Sequence, residues 1–164
     1  MLFKFPLTIM YGQVFACDYL SKDIGLLWAE DHYRQGFAWD PEMASFAVPD
    51  HDGECLVEVE TEGNIDLPGS SALWAIEVPF EVKHGNILVG TILFEEEISI
   101  PNGQYRLIFS ASSGQTADKK NYAYILRFDF VLSVNAEFRI LQRSEFPFSD
   151  HVLRSSAERF GAPR

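Results

Sequence analysis

Between Asp23 and Asp66 stand twelve acidic side chains: Asp23, Glu30, Asp31, Asp40, Glu42, Asp50, Asp52, Glu54, Glu58, Glu60, Glu62 and Asp66. They face a single base, Arg34, and that local balance equals the formal charge of −11 carried by all 164 residues. The remainder of the chain is electrically neutral, so the acidity belongs to one stretch. A field of this sign repels nucleic acid, which argues against direct nucleic-acid binding, and it speeds encounters with a basic partner. Along Cys55–Thr61 the outward Glu58 and Glu60 run on into Glu62, with about 7 Å between alternate side chains of a strand. Glu95-Glu96-Glu97 adds a second cluster. Rows of carboxylates at this spacing imitate the phosphates of a nucleic-acid strand. The plainer alternative is a solvated sheet face whose charges maintain solubility and deter edge pairing.

Other chemistry is thinly represented. Asp50-His51-Asp52-Gly53-Glu54 faintly resembles a calcium loop but lacks the twelve-residue pattern, and a turn rich in Asp and Gly has the same composition. His32, His51, His84 and His151 form no pair at zinc-ligand spacing, and His51 and His84 read as exposed turn residues. Cys17 and Cys55 each lie in an apolar strand pattern without a basic activator, which predicts buried, unreactive thiols. No nucleophile elbow, phosphate loop or dinucleotide fingerprint occurs, so neither an enzyme nor a cofactor is expected. Aromatic residues do accompany the acids. Phe37 and Phe46 are expected in the core, while Trp39-Asp40-Pro41 reads as an exposed turn. An aromatic beside carboxylates is the composition of an interface anchor. Charge and pattern together nominate Glu30, Asp31, Trp39, Asp40, Glu58, Glu60 and Glu62 as partner-binding residues. Trp and Tyr with nearby Asp and Asn also suit a small-molecule or glycan-binding module, the second function class these residues allow.

The elements that must position these groups are mostly strands. Cys55, Val57 and Val59 alternate with Leu56, Glu58 and Glu60, and Tyr122, Tyr124, Leu126, Phe128, Phe130 and Leu132 line one face of a long strand expected at a sheet centre. Further strands are expected at Leu7–Asp18, Phe37–Trp39, Ser45–Val48, Leu73–Phe80, Asn86–Val89, Ile92–Ile100 and Gln104–Ser110. Pro101-Asn102-Gly103 is expected to close a tight hairpin, and Pro79 marks an edge or strand end. Ser110–Asn121 has the composition of a loop. One short helix is expected near Leu27–Gln35, stopped by Gly36. About eight strands and one helix describe an all-β, antiparallel β-sandwich. That domain spans residues 1–141. Residues 142–164 are expected to form a mobile tail with helical character around Asp150–Phe160. No apolar run approaches the roughly 20 residues of a membrane span, and no leader pattern opens the chain, so a soluble cytoplasmic protein is expected.

A set of short pieces carries a resemblance. Tyr11-Gly12-Gln13-Val14-Phe15, Leu27-Trp28-Ala29-Glu30-Asp31, Gln35-Gly36-Phe37-Ala38, Ser45-Phe46, Val78-Pro79-Phe80 and Ile98–Leu107 occur in an order that resembles the competence protein J family. The resemblance spans roughly Leu7 to Leu132. It implies a small bacterial, non-enzymatic protein of immunity type that binds and inhibits a metal-dependent DNA nuclease. The acidic segment would then occupy a cationic DNA groove on that basic partner or cover its catalytic metal centre.

Overall fold

Period-two alternation yields the strands expected of it. The computed structural model describes residues 1–21, 24–49, 54–64, 72–115 and 121–161. In chain order these form β1 (Leu2–Thr8), β2 (Gln13–Asp18), β3 (Ile24–Leu26), helix α1 (Glu30–Gln35), β4 (Phe37–Asp40), β5 (Met43–Ala47) and β6 (Glu54–Glu60). There follow β7 (Ala72–Val82), β8 (Asn86–Gly90), β9 (Glu95–Ser99), β10 (Gly103–Gln115), β11 (Asn121–Leu132), β12 (Arg139–Gln142) and β13 (Arg159–Gly161). The described residues thus hold thirteen strands where about eight were expected. Three of the additions, β3, β12 and β13, have three or four residues, too few to show an alternation.

A six-stranded sheet runs β1-β6-β11-β10-β7-β12, and a five-stranded sheet runs β4-β5-β2-β8-β9. A two-stranded ribbon pairs β13 with β3. The sheets face one another across a core rich in phenylalanine. Phe46 of the smaller sheet stacks on Phe109 of the larger one at 4.4 Å between ring centroids, and Phe128 meets both rings edge-on. Cys55, Val57 and Val59 point inward as their alternation requires, as do Leu126, Phe128 and Phe130 of the central β11. The sandwich is mixed rather than wholly antiparallel, because β6 pairs with β11 in parallel. The long connection between those strands makes the parallel pairing possible.

Several boundaries differ from the sequence reading, each for a local reason. Leu7–Asp18 is broken into β1 and β2 by a tight turn in which Tyr11 and Gly12 both take positive φ, at 59° and 66°. Pro101-Asn102-Gly103 closes no hairpin, because it carries the chain from β9 in the smaller sheet to β10 in the larger. His84-Gly85 turns the corner between β7 and β8 in the same way, and Asn102 Oδ1 clasps the two corners by accepting from the Gly85 N–H at 2.6 Å. Much of Ser110–Asn121 is strand, with Ser112 opposite Ile125 and Ser113 opposite Tyr124. Pro79 lies inside β7, beyond the stretch paired with β12, so that flank of the strand is open as an edge proline requires. Helix α1 is shorter than predicted, and Gly36 ends it in the left-handed conformation at φ 88°.

The C-terminal segment is the largest departure. Asp150–Glu158 carries no helix, and residues 142–161 cross α1 and β4 as an extended strap. The buried Gln35 side chain grips it, donating to the Arg154 carbonyl and accepting from the Leu153 and Arg154 N–H groups. His32 bonds the Ser156 carbonyl, the Ala157 N–H donates to Trp39, and β13 closes the strap onto β3.

Candidate functional site

The predicted acidic residues lie on three separate parts of the molecule. Glu58 and Glu60 stand on the outer face of β6, half-buried as the alternation requires. Their surroundings are not purely acidic. Lys4 of β1 reaches Glu58 at 3.5 Å, and Arg127 of β11 reaches Glu58 at 3.4 Å and Asp129 at 3.0 Å. The N-terminal ammonium bonds Glu60 at 2.8 Å and approaches Glu62 at 3.5 Å. That hydrogen bond holds the Glu60 carboxyl below the usual carboxylate range. On this face four carboxylates meet three cationic groups, so the row is a ladder of alternating charge rather than a bare strip of acid.

Trp39 and Asp40 are not an exposed turn. The Trp39 indole is half-buried against Phe138 and donates to the Pro79 carbonyl at 2.7 Å. Asp40 is buried, and both its carboxylate oxygens accept from Arg159 of the strap, at 2.5 and 2.6 Å. Both side chains hold the fold together. Sequence reasoning missed this because the partners lie 40 and 119 residues away. Glu30 and Asp31 occupy the first turn of α1, where the helix dipole favours them, and neither makes an ion pair among the described residues.

The least compensated acid lies elsewhere. Glu95, Glu96 and Glu97 of the edge strand β9 are all exposed, and none forms an ion pair among the described residues. Register places Glu95 opposite Gly90 and Glu97 opposite Leu88 on the outer face of the smaller sheet. Just before them Ile92, Leu93 and Phe94 form the β8–β9 turn, fully in view of solvent. The sequence reading placed these three in a strand. A triple glutamate directly after three large apolar residues was the available signal for an exposed tip.

Among the described residues no group of three or more His, Cys, Asp or Glu side chains converges. Asp50–Gly53 of the calcium-like loop, Asp23 and Asp66 lie outside the described residues. His84 is less free than an exposed turn residue, since its Nδ1 contacts both oxygens of the buried Asp18, at 2.9 and 3.1 Å. Cys17 and Cys55 are free and buried, and burial, aided by nearby Glu95 and Asp18, pushes the Cys17 thiol up to about 12. Burial also raises the Cys55 thiol.

Fold and surface define an all-β, two-sheet protein whose charged chemistry lies on its outer faces and edges. The competence protein J (ComJ) family model matches residues 6–131, and the chain belongs to that family. The crystal structure of ComJ from Bacillus subtilis, described as an inhibitor of the DNA-degrading activity of NucA, is similar at a TM-score of 0.62. It is 21% identical, and the match covers 78% of this chain and 95% of that one. The protein of crocagin biosynthetic gene J matches at a TM-score of 0.42 and 10% identity, over 77% of this chain and 94% of that one. No curated protein sequence matches the chain.

Proposed function

We propose that this protein is a stoichiometric inhibitor of a metal-dependent DNA nuclease, capping the basic groove through which that enzyme grips DNA. Family membership over residues 6–131 is the observation that carries the reading, since a solved relative is described as an inhibitor of NucA. The charge of −11 supplies the attraction for a cationic groove. Among the expected contacts, Glu30 and Asp31 offer the freest carboxylates, Glu95 and Glu97 join them, and Glu62 shares the N-terminal ammonium with Glu60. Glu58 and Glu60 can engage a partner only by exchanging the cations they already hold. Their ladder therefore contributes less per carboxylate, because a new ion pair replaces an existing one.

The test is DNA degradation by the nuclease encoded beside this gene, or by a DNA-entry-type nuclease, with increasing amounts of the protein. Inhibition that saturates near one inhibitor per nuclease and weakens with salt is the expected result. Full nuclease activity in the presence of excess folded protein would refute the reading.

A further inference from the structure

On the outer face of the smaller sheet, the β8–β9 turn stands beside the β3–β13 ribbon, and a largely apolar groove of about 520 Å³ lies between them. Trp28 lines it from the link between β3 and α1, Tyr33 from the helix, Phe160 from the ribbon, Thr91 and Ile92 from the β8–β9 turn, and Tyr11 from the β1–β2 turn. Its walls are fixed by the fold. Phe160 pairs opposite Gly25, and a Cβ at Gly25 would come within 2.4 Å of the Phe160 ring.

Four observations point to an occupant. Ile92, Leu93 and Phe94 are 69%, 66% and 59% exposed, a run of apolar surface that a free hairpin has no reason to keep. Thr91 is 1% exposed, yet its hydroxyl has no hydrogen-bond partner, and the buried Trp28 Nε1 has none either. An unpaired buried polar group costs about 1–3 kcal/mol, so two beside one groove mean that a small shift on docking would gain hydrogen bonds which the free protein lacks. An indole N–H only donates, and the acceptor most available on a protein segment is a backbone carbonyl. Tyr11 holds φ 59° with its ring 80% exposed, a conformation that disfavours bulky side chains. Finally, Glu95 lines the groove, with Glu97 on the same face, and neither pairs with a cation among the described residues. The charge complement is a Lys or Arg.

We infer that this groove is the docking site for an exposed loop of the inhibited nuclease, one that inserts a large apolar side chain beside a Lys or Arg. The inference rests on the inhibitor reading and names its contact surface. A protein segment fits better than a small ligand because Leu93 and Phe94 of the apolar tip and the Glu97 carboxylate lie beyond the groove's own lining, where a ligand filling the groove would leave them uncovered.

Calorimetric titration of the same nuclease, with DNA degradation measured in parallel, tests it on the wild-type protein, Ile92→Glu, Thr91→Val and Tyr11→Asn. All three positions tolerate the change in the free protein: the first is exposed, the second loses an unpaired hydroxyl, and the third suits a positive φ. Unchanged or higher Tm values are therefore expected. Ile92→Glu is expected to weaken Kd about tenfold or more although it adds negative charge, which attraction alone would turn into tighter binding. Thr91→Val and Tyr11→Asn are each expected to weaken Kd several-fold. Wild-type Kd values in all three variants would overturn the docking site and leave the inhibitor reading standing. Binding without inhibition would overturn the inhibitor reading, while the Kd series still decides the groove. No binding by the wild-type protein would overturn both. A stable wild-type dimer broken by Ile92→Glu in gel filtration would assign the groove to a second copy and overturn the proposal.

Discussion

Glu77 shows how far a single side chain can be set by residues distant in sequence. Its carboxylate is fully buried in β7, where it accepts from Arg106 at 2.8 Å, Arg139 at 2.6 Å and the Glu137 N–H at 3.0 Å. Burial alone would push this carboxyl up, but the three donors outweigh it and hold the group below the usual range. Glu77→Gln removes the charge and leaves the mostly buried Arg106 uncompensated, so it should cost about 3–5 kcal/mol. Urea denaturation with an unchanged slope and a lower midpoint would register that loss. Because the folded carboxyl ionises at lower pH than an unfolded glutamate near about 4.3, its stabilisation is complete above that value. It disappears as pH falls through the lower, folded value. Melting temperatures of wild type and Glu77→Gln should therefore converge in acid and separate above about pH 5. In the sequence, Glu77 is one polar residue in an apolar strand, and nothing nearby announces Arg106 or Arg139. Glu58 was legible because alternation fixes the face of a strand residue. Its compensation was not, because Lys4 and Arg127 belong to neighbouring strands.

At the scale of elements, alternation revealed the long strands and left the short ones hidden. β11 was readable as a central strand because both of its faces are nearly apolar near its start, before Arg127 and Asp129. The strap was not readable, because its hydrogen bonds come from α1 and β4, more than a hundred residues upstream. A segment rich in Ser, Arg and Pro reads as a mobile tail until those partners are known. Gln35 is the pin of this arrangement, making two donor and two acceptor bonds from a fully buried side chain. Gln35→Leu should cost about 2–4 kcal/mol through unpaired backbone groups. Hydrogen exchange should show the Leu153 and Arg154 amides losing protection first. Protection equal to wild type at those amides would mean that Arg159 and the β3–β13 pairing hold the strap alone.

The whole molecule carries its charge unevenly. The outer face of the larger sheet is a compensated ladder, whereas the β9 edge of the smaller sheet carries acid that no described cation pairs, beside apolar surface. Steering should therefore originate at β9. The double substitution Glu95→Lys with Glu97→Lys is expected to slow nuclease association about tenfold or more, and Glu58→Lys to slow it much less. Stopped-flow association rates would separate the two, and equal effects would spread the steering over both faces. Raising salt from about 0.1 to about 1 M shortens the screening length from about 10 to about 3 Å and should shrink the difference between these variants.

The two buried cysteines divide themselves between the layers, Cys17 in the smaller sheet and Cys55 in the larger. Cys17 packs against Leu26 beneath the ribbon on the outer face of its sheet, whereas Cys55 lies between the sheets, so a thiol-modifying dye clocks the lifting of the ribbon at the first and the parting of the layers at the second. Paired single-cysteine variants would time the two openings separately. Equal labelling rates would mean that the ribbon and the two layers open as one cooperative unit. A faster Cys17 would identify the ribbon and strap as the first elements to loosen.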